Sequence, residues 1–215
     1  MKKFKALLVV ACALLLVAAS VFGTMAYLTS TDEVKNTFTV GKVNIKLDEA
    51  KANPDGSLVE GAARVKANSY KLLPGHTYNK DPMVTVLSGS EPSYVKMTVT
   101  FSNAKELDAI FAPTGADLTS IFKGYDSTKW IAKGNTKDTT ANTRTYEFWY
   151  KDAVGALTAD VALDALFDSI TVPGEITGEQ LETIKGMTIT VNAYAIQADG
   201  FADATAAWAA FTPNP

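Results

Sequence analysis

An all-β fold of antiparallel sheets with short inserted helices is what this sequence predicts, on three observations. Apolar and polar residues alternate with a period of two in run after run, as in "KVNIKL", "YVKMTVTF" and "MTITVNAYAI". Turn chemistry separates the runs, in "NPDGS", "LPGHTYNKDP" and "SGSEPS". Helical periodicity is confined to stretches of about two turns. Strands with one apolar face require sheets that share a core, which is the arrangement of a β-sandwich.

Each element has its own justification. In "KVNIKL" the residues Val43, Ile45 and Leu47 oppose Lys42, Asn44 and Lys46. In "YVKMTVTF" the apolar set is Val95, Met97, Val99 and Phe101, and in "MTITVNAYAI" it begins with Ile189, Val191 and Ala193. "DPMVTVL" and "DSITVP" supply two shorter strands, and "TRTYEFWY", Thr143 to Tyr150, is rich in β-formers. "GNTKDTTANT", Gly134 to Thr143, reads as a polar hairpin tip or loop. "NAKELDAIF" reads as a helix capped by Asn103, with Leu107, Ile110 and Phe111 on one side. "TGEQLETI" has Thr177 and Gln180 at the spacing of a capping box. "DATAAWAAF" is an Ala-rich helix with an Asp203 cap, which lays Trp208 and Phe211 on the sandwich.

The N-terminus has the pattern of a secretory signal. Lys2, Lys3 and Lys5 precede the uncharged apolar run Ala6 to Phe22, and Thr24 and Ala26 are small residues placed for a cut between Ala26 and Tyr27. No cluster of Lys or Arg follows the run as a stop-transfer signal, so cleavage is favoured over a retained anchor. The only cysteine, Cys12, falls inside the apolar run and reads as a small hydrophobe, so the exported part folds without disulfides. The organisation expected is a signal peptide over 1–26, an N-terminal segment over 27–41 and a β-sandwich domain over 42–215. The chain carries −3 overall, and three lysines leave with the signal, so the exported part carries −6. An acidic domain repels phosphate backbones, and nucleic-acid binding is not expected.

Motifs for catalysis are scarce. His76 is the only histidine and lies in the Pro-Gly turn "LPGHTY", where a solvated loop residue is the expectation. Zinc hydrolases need several His or Cys ligands, and no HExxH or GxSxG is present. Carboxylates such as Asp48, Glu49, Glu106 and Asp108 are scattered and expected to be solvated. No catalytic residue, metal site or cofactor is assigned, and the chain is not expected to be an enzyme. Among the aromatics, Tyr146, Phe148 and Tyr150 alternate onto a core face and leave Trp149 on the other, a candidate for stacking a sugar ligand.

The stretch "GTMAYLTSTDEVKNTFTVGKVNIKL" resembles the N-terminal signature of the TasA/camelysin family, in Gly23, Thr24, Ala26, Asn36, Phe38 and Gly41. "LLPGHTYNKDPMVTV", "SYVKMTVTF" and "AYAIQADGF" with "AAWAAF" extend the resemblance over most of the chain. The resemblance implies export with a SipW-type signal peptidase, a jelly-roll-like sandwich, and a role as a fibre subunit of an extracellular biofilm matrix. In such fibres the segment freed by cleavage adds as a strand to the next subunit. Here Tyr27 to Val40 is long enough, about 45 Å when extended, and Tyr27, Leu28, Val34 and Phe38 are the candidate donor-strand residues. The implied partners are further copies of the chain, the signal peptidase, and matrix polysaccharide or an accessory fibre protein. Two other readings stand beside this one. The first is a non-polymerising surface module that holds a glycan or host ligand with Trp149 or the 134–143 loop. The second is a camelysin-like metallopeptidase, against which the single His76 counts.

Overall fold

The computed structural model describes residues 41–111 and 118–212, and Cys12 in the N-terminal part. By contact the chain divides into two compact units, 1–40 and 41–215. The expected signal peptide, its expected cut and nearly all of the segment 27–41 lie outside the described residues.

The described residues of the second unit form ten strands: β1 (Ile45–Asp48), β2 (Thr77–Asn79), β3 (Met83–Val86), β4 (Ser93–Ser102), β5 (Phe122–Lys123), β6 (Trp130–Asp138), β7 (Thr143–Tyr150), β8 (Val161–Ala162), β9 (Ser169–Thr171) and β10 (Ile189–Gln197). Among the described residues three short α-helices, α1 (Ala104–Phe111), α2 (Gly178–Thr183) and α3 (Ala204–Ala210), and a 3-10 turn at Leu118–Ile121 interrupt them. The strands form sheets of order β1-β3-β8, β10-β4-β7-β6 and β2-β9-β5, and every pairing is antiparallel.

β4 shows why the sheets close on one core. Its residues alternate buried and half-buried over the whole strand, with Ser93, Val95, Met97, Val99 and Phe101 inward. Tyr146 and Phe148 of β7 extend that inner face. Val84 and Val86 of β3, with Tyr78, Phe122 and Ile170 from the β2-β9-β5 sheet, belong to the same hydrophobic cluster. Rings fill its centre. Phe122 stacks on Phe167 at 4.0 Å between centroids, and Phe101 lies 6.0 Å from Phe122 and edge-on to Tyr146 at 5.9 Å. This is a sandwich-like all-β architecture with few helices, as the period-two runs predict.

Several local expectations change. Asn103 does not cap α1, because its backbone is left-handed, at φ 53°. The cap comes instead from Asn142 in the β6–β7 turn. Its carbonyl accepts from the Ala104 amide, its side-chain oxygen accepts from the Lys105 amide at 2.9 Å, and its side-chain amide donates to Glu106 at 2.8 Å. The polar stretch 134–143 is mostly strand, since β6 and β7 pair out to Asp138 and Thr143 and leave a short turn. "HTYN" is likewise not all turn. Tyr78 is fully buried in β2, and its hydroxyl accepts from the Leu73 amide and donates to the Lys71 carbonyl. The capping box of α2 forms as expected, as does the Asp203 cap of α3.

The largest surprise lies at the end of β1. Asp48 and Glu49 are not solvated but buried. Arg64 straddles two carboxylates, with Nε 2.6 Å from Asp48 and Nη1 2.7 Å from Asp81, while Nη2 donates to both backbone carbonyls. Lys80 pairs with Glu49 at 2.6 Å, and Asn68 donates to the other Glu49 oxygen. The segment between β1 and β2 forms no regular ladder, only the isolated bridges Glu49–Val65 and Ala52–Leu58 and scattered backbone bonds such as that from the Lys71 amide to the Pro54 carbonyl. Side chains help to fasten it, and the fixed ionic partners at Asp48 and Glu49 are part of that fastening.

Candidate functional site

Chemistry in a sheet protein sits either on an edge, where backbone groups lack partners, or on a face that another element leaves open. Both occur on the four-stranded sheet. Among the described residues, β6 and β10 have a ladder on one side only. β6 is exposed along most of its length and is interrupted by a bulge, where the register with β7 skips from Ala132 to Gly134. Gly134 takes φ 112°, a conformation that side chains rarely adopt, and Lys133 is the extra residue of the bulge.

β10 differs in kind. It pairs with β4 from Ile189–Phe101 to Gln197–Ser93 without any skip, and it carries no Lys or Pro. The Ser102 amide donates to the Thr188 carbonyl, and the Ala198 amide donates to the Pro92 carbonyl. The even-numbered residues of β10 are therefore those bonded to β4. The backbone groups of Ile189, Val191, Ala193 and Ala195 point the other way. β1 runs close to β10, but the two belong to different sheets.

The outer face of this sheet is less polar than alternation suggests. Tyr194, Lys96, Trp149 and Ile131 stand side by side in one cross-strand row. α3 covers part of that row. Trp208 is buried against it and Phe211 meets Tyr194 edge-on at 5.6 Å. The Lys96 ammonium lies 4.6 Å from the Trp208 ring centre and 5.2 Å from that of Phe211, and it pairs with Glu147 at 3.2 Å. Glu147 also accepts from Trp149 Nε1 at 2.6 Å.

Trp149 is half-buried in this row, 6.2 Å from Trp208. The ammonium of Lys133 lies 4.2 Å from its ring centre, so the bulge delivers a cation onto the indole. Beside them is a hollow of about 320 Å³ bordered by Tyr94, Ile131, Lys133, Trp149, Lys151 and the start of α3. Tyr150 borders it too. Burial and the hydrogen bond to Asp164 push its phenol up to about 12. Nothing in the sequence marks Lys133 as part of this group. The signal is the Lys-Gly pair within a strand, which reads as a bulge only once β7 is known to lie opposite.

The remaining expected positions are quickly placed. Ala26, Tyr27, Leu28, Val34 and Phe38 lie outside the described residues. His76 is exposed, and its carbonyl accepts from the Val172 amide. Among the described residues no three His, Cys, Asp or Glu side chains cluster to hold a metal ion. No helix of the described residues is long and apolar enough to cross a membrane. The Asp48–Arg64–Asp81 and Glu49–Lys80 groups saturate one another. Burial opposes ionisation of Asp48, but hydrogen bonds from Lys46 and Arg64 outweigh it and hold its carboxyl below the ordinary range. Such a network has no free base to offer.

No family model, curated protein or solved structure matches this chain.

Proposed function

We propose that the chain is an exported structural protein that polymerises head-to-tail, with the segment Tyr27 to Asn36 of one copy adding as a strand to the next. The observation that carries this reading is the contrast between the two edges of the four-stranded sheet. β6 bears the devices that discourage strand addition, a bulge with Lys133 and Lys137 on it. β10 bears none of them and offers nine residues in unbroken register, with the donors and acceptors of Ala193 and Ala195 directed outward. Backbone bonds to an added strand supply affinity, and apolar positions such as Val34 supply register. A contact of donor to acceptor that does not close on itself extends into filaments. The resemblance to the TasA/camelysin family supports the same reading and adds the jelly-roll-like topology, the SipW-type peptidase and the biofilm matrix as the setting.

Negative-stain microscopy of three proteins tests the proposal: the exported chain, a form lacking 27–36, and Ala193→Pro. Proline at 193 removes an outward amide and no bond to β4. Filaments from the first protein only are expected. Filaments of equal length from the truncated form would refute strand donation, and those from a folded Ala193→Pro protein would move the acceptor to another edge.

A further inference from the structure

The hollow beside Trp149 has a composition that strand assembly does not require. Its floor is an outer-face row of a β-sheet, yet Ile131, Trp149 and Tyr94 make it apolar and aromatic. Two lysines stand at its rim. Lys133 reaches it through the bulge and rests on the indole, and Lys151, the first residue past the end of β7, borders it as well. Among the described residues neither ammonium has a carboxylate partner, whereas Lys96, one strand away, is matched with Glu147. The acid at the rim, Asp203, is engaged in capping α3 through the Ala206 amide. An acidic protein thus carries two unmatched cations above an aromatic floor.

We propose that this hollow binds an acidic saccharide, a pyranose unit bearing a carboxylate. The carboxylate pairs with Lys133 and Lys151, and the apolar face of the ring lies against Tyr94, Ile131 and the exposed part of Trp149. Three features favour this chemistry. Sugars present C–H faces to aromatic rings and hydroxyls to solvent, which suits a shallow floor that is half apolar. The volume of about 320 Å³ is at the small end of ligand sites and suits one or two rings better than a folded partner. The Lys133 head is already held in place by the indole, so less side-chain freedom is lost when an anion arrives.

Calorimetry on the whole exported chain, below the concentration at which it assembles, tests the site with three probes. An oligogalacturonate carries both ring and charge. Its methyl ester carries the ring alone, and an oligoglutamate carries carboxylates alone. Binding of the first is expected, weakening with added salt, with the other two at least about tenfold weaker. The pair Lys133→Gln and Lys151→Gln, both at exposed positions, is expected to weaken the first probe by about tenfold. Lys105→Gln with Lys123→Gln, removing the same charge elsewhere, should leave it unchanged. Equal binding of the ester would make the site one for neutral sugars, and equal binding of oligoglutamate would make it a peptide site. Either result overturns the proposal, as does an affinity indifferent to Lys133 and Lys151. Filament formation is read separately, so failure here leaves strand donation standing.

Discussion

Gly56 sits at φ 90°, and a Cβ added there would stand 2.7 Å from the Thr77 carbonyl oxygen and 2.7 Å from the Tyr78 Cα. Both neighbours are backbone, so neither can swing aside. Its carbonyl meanwhile accepts from the Asn79 amide and side chain, which locks the "NPDGS" turn onto β2. Gly56→Ala should cost about 2–4 kcal/mol in chemical denaturation, through strain and displacement together. The buried ion pair gives a second prediction at this scale. Lys80→Met strands Glu49 without its partner and should cost about 3–5 kcal/mol. Adding Glu49→Leu should recover most of that loss, because the uncompensated charge leaves with it. Asp48 gives a third. Its carboxyl ionises more readily in the folded chain than in the unfolded one, so the unfolded chain binds its proton first as pH falls. The stability Asp48 contributes is fully present above the ordinary carboxyl range, near 3.8. It is lost as pH drops through the lower folded value. Denaturation midpoints taken between about pH 5 and pH 2 should therefore fall less steeply for Asp48→Asn.

One helix, α1, depends on partners far from it in sequence. α1 takes its cap from Asn142 across the β6–β7 turn, while Asp108 on its flank pairs with Lys137 at 2.9 Å and Arg144 at 2.6 Å. Both Asn103 and Asn142 have positive φ, so glycine keeps the backbone at either site and removes only the side chain. Asn142→Gly should cost about 1 kcal/mol and Asn103→Gly close to nothing, as measured by thermal unfolding. α2 behaves as a local element, and Thr177→Ala should cost about 1 kcal/mol for the lost capping box. The capping box and the Asp203 cap were legible because donor and acceptor lie within three residues of each other. The Asn142 cap was not, because its partners lie 37 residues away.

At the scale of the whole molecule, the two edges of the four-stranded sheet are unequal, and the inequality bears on which side another strand can join. The bulge at Gly134 and the lysines of β6 keep one side closed to other strands. Replacing Lys133 and Lys137 by Val should open that side. Light scattering should then show disordered aggregation, also in a form lacking residues 27–36. The aromatic row under α3 belongs to this scale as well, since its four members come from four strands and are neighbours only through register.

The order of apolar and polar residues determined the class of fold, the inward set of β4, and the burial of Tyr146 and Phe148. Period-two alternation fixes which face of a strand leaves water, whatever it pairs with. Local spacing likewise determined the caps of α2 and α3. Only the tertiary structure decided that Asp48 and Glu49 are buried, that Asn142 caps α1, and that Lys133 rests on Trp149. Each of these depends on groups brought together by sheet register and chain crossing. For a charged side chain the cost of desolvation is set against the gain from an interior partner. That partner is distant in sequence, so the side chain's own sequence neighbours do not choose between water and burial.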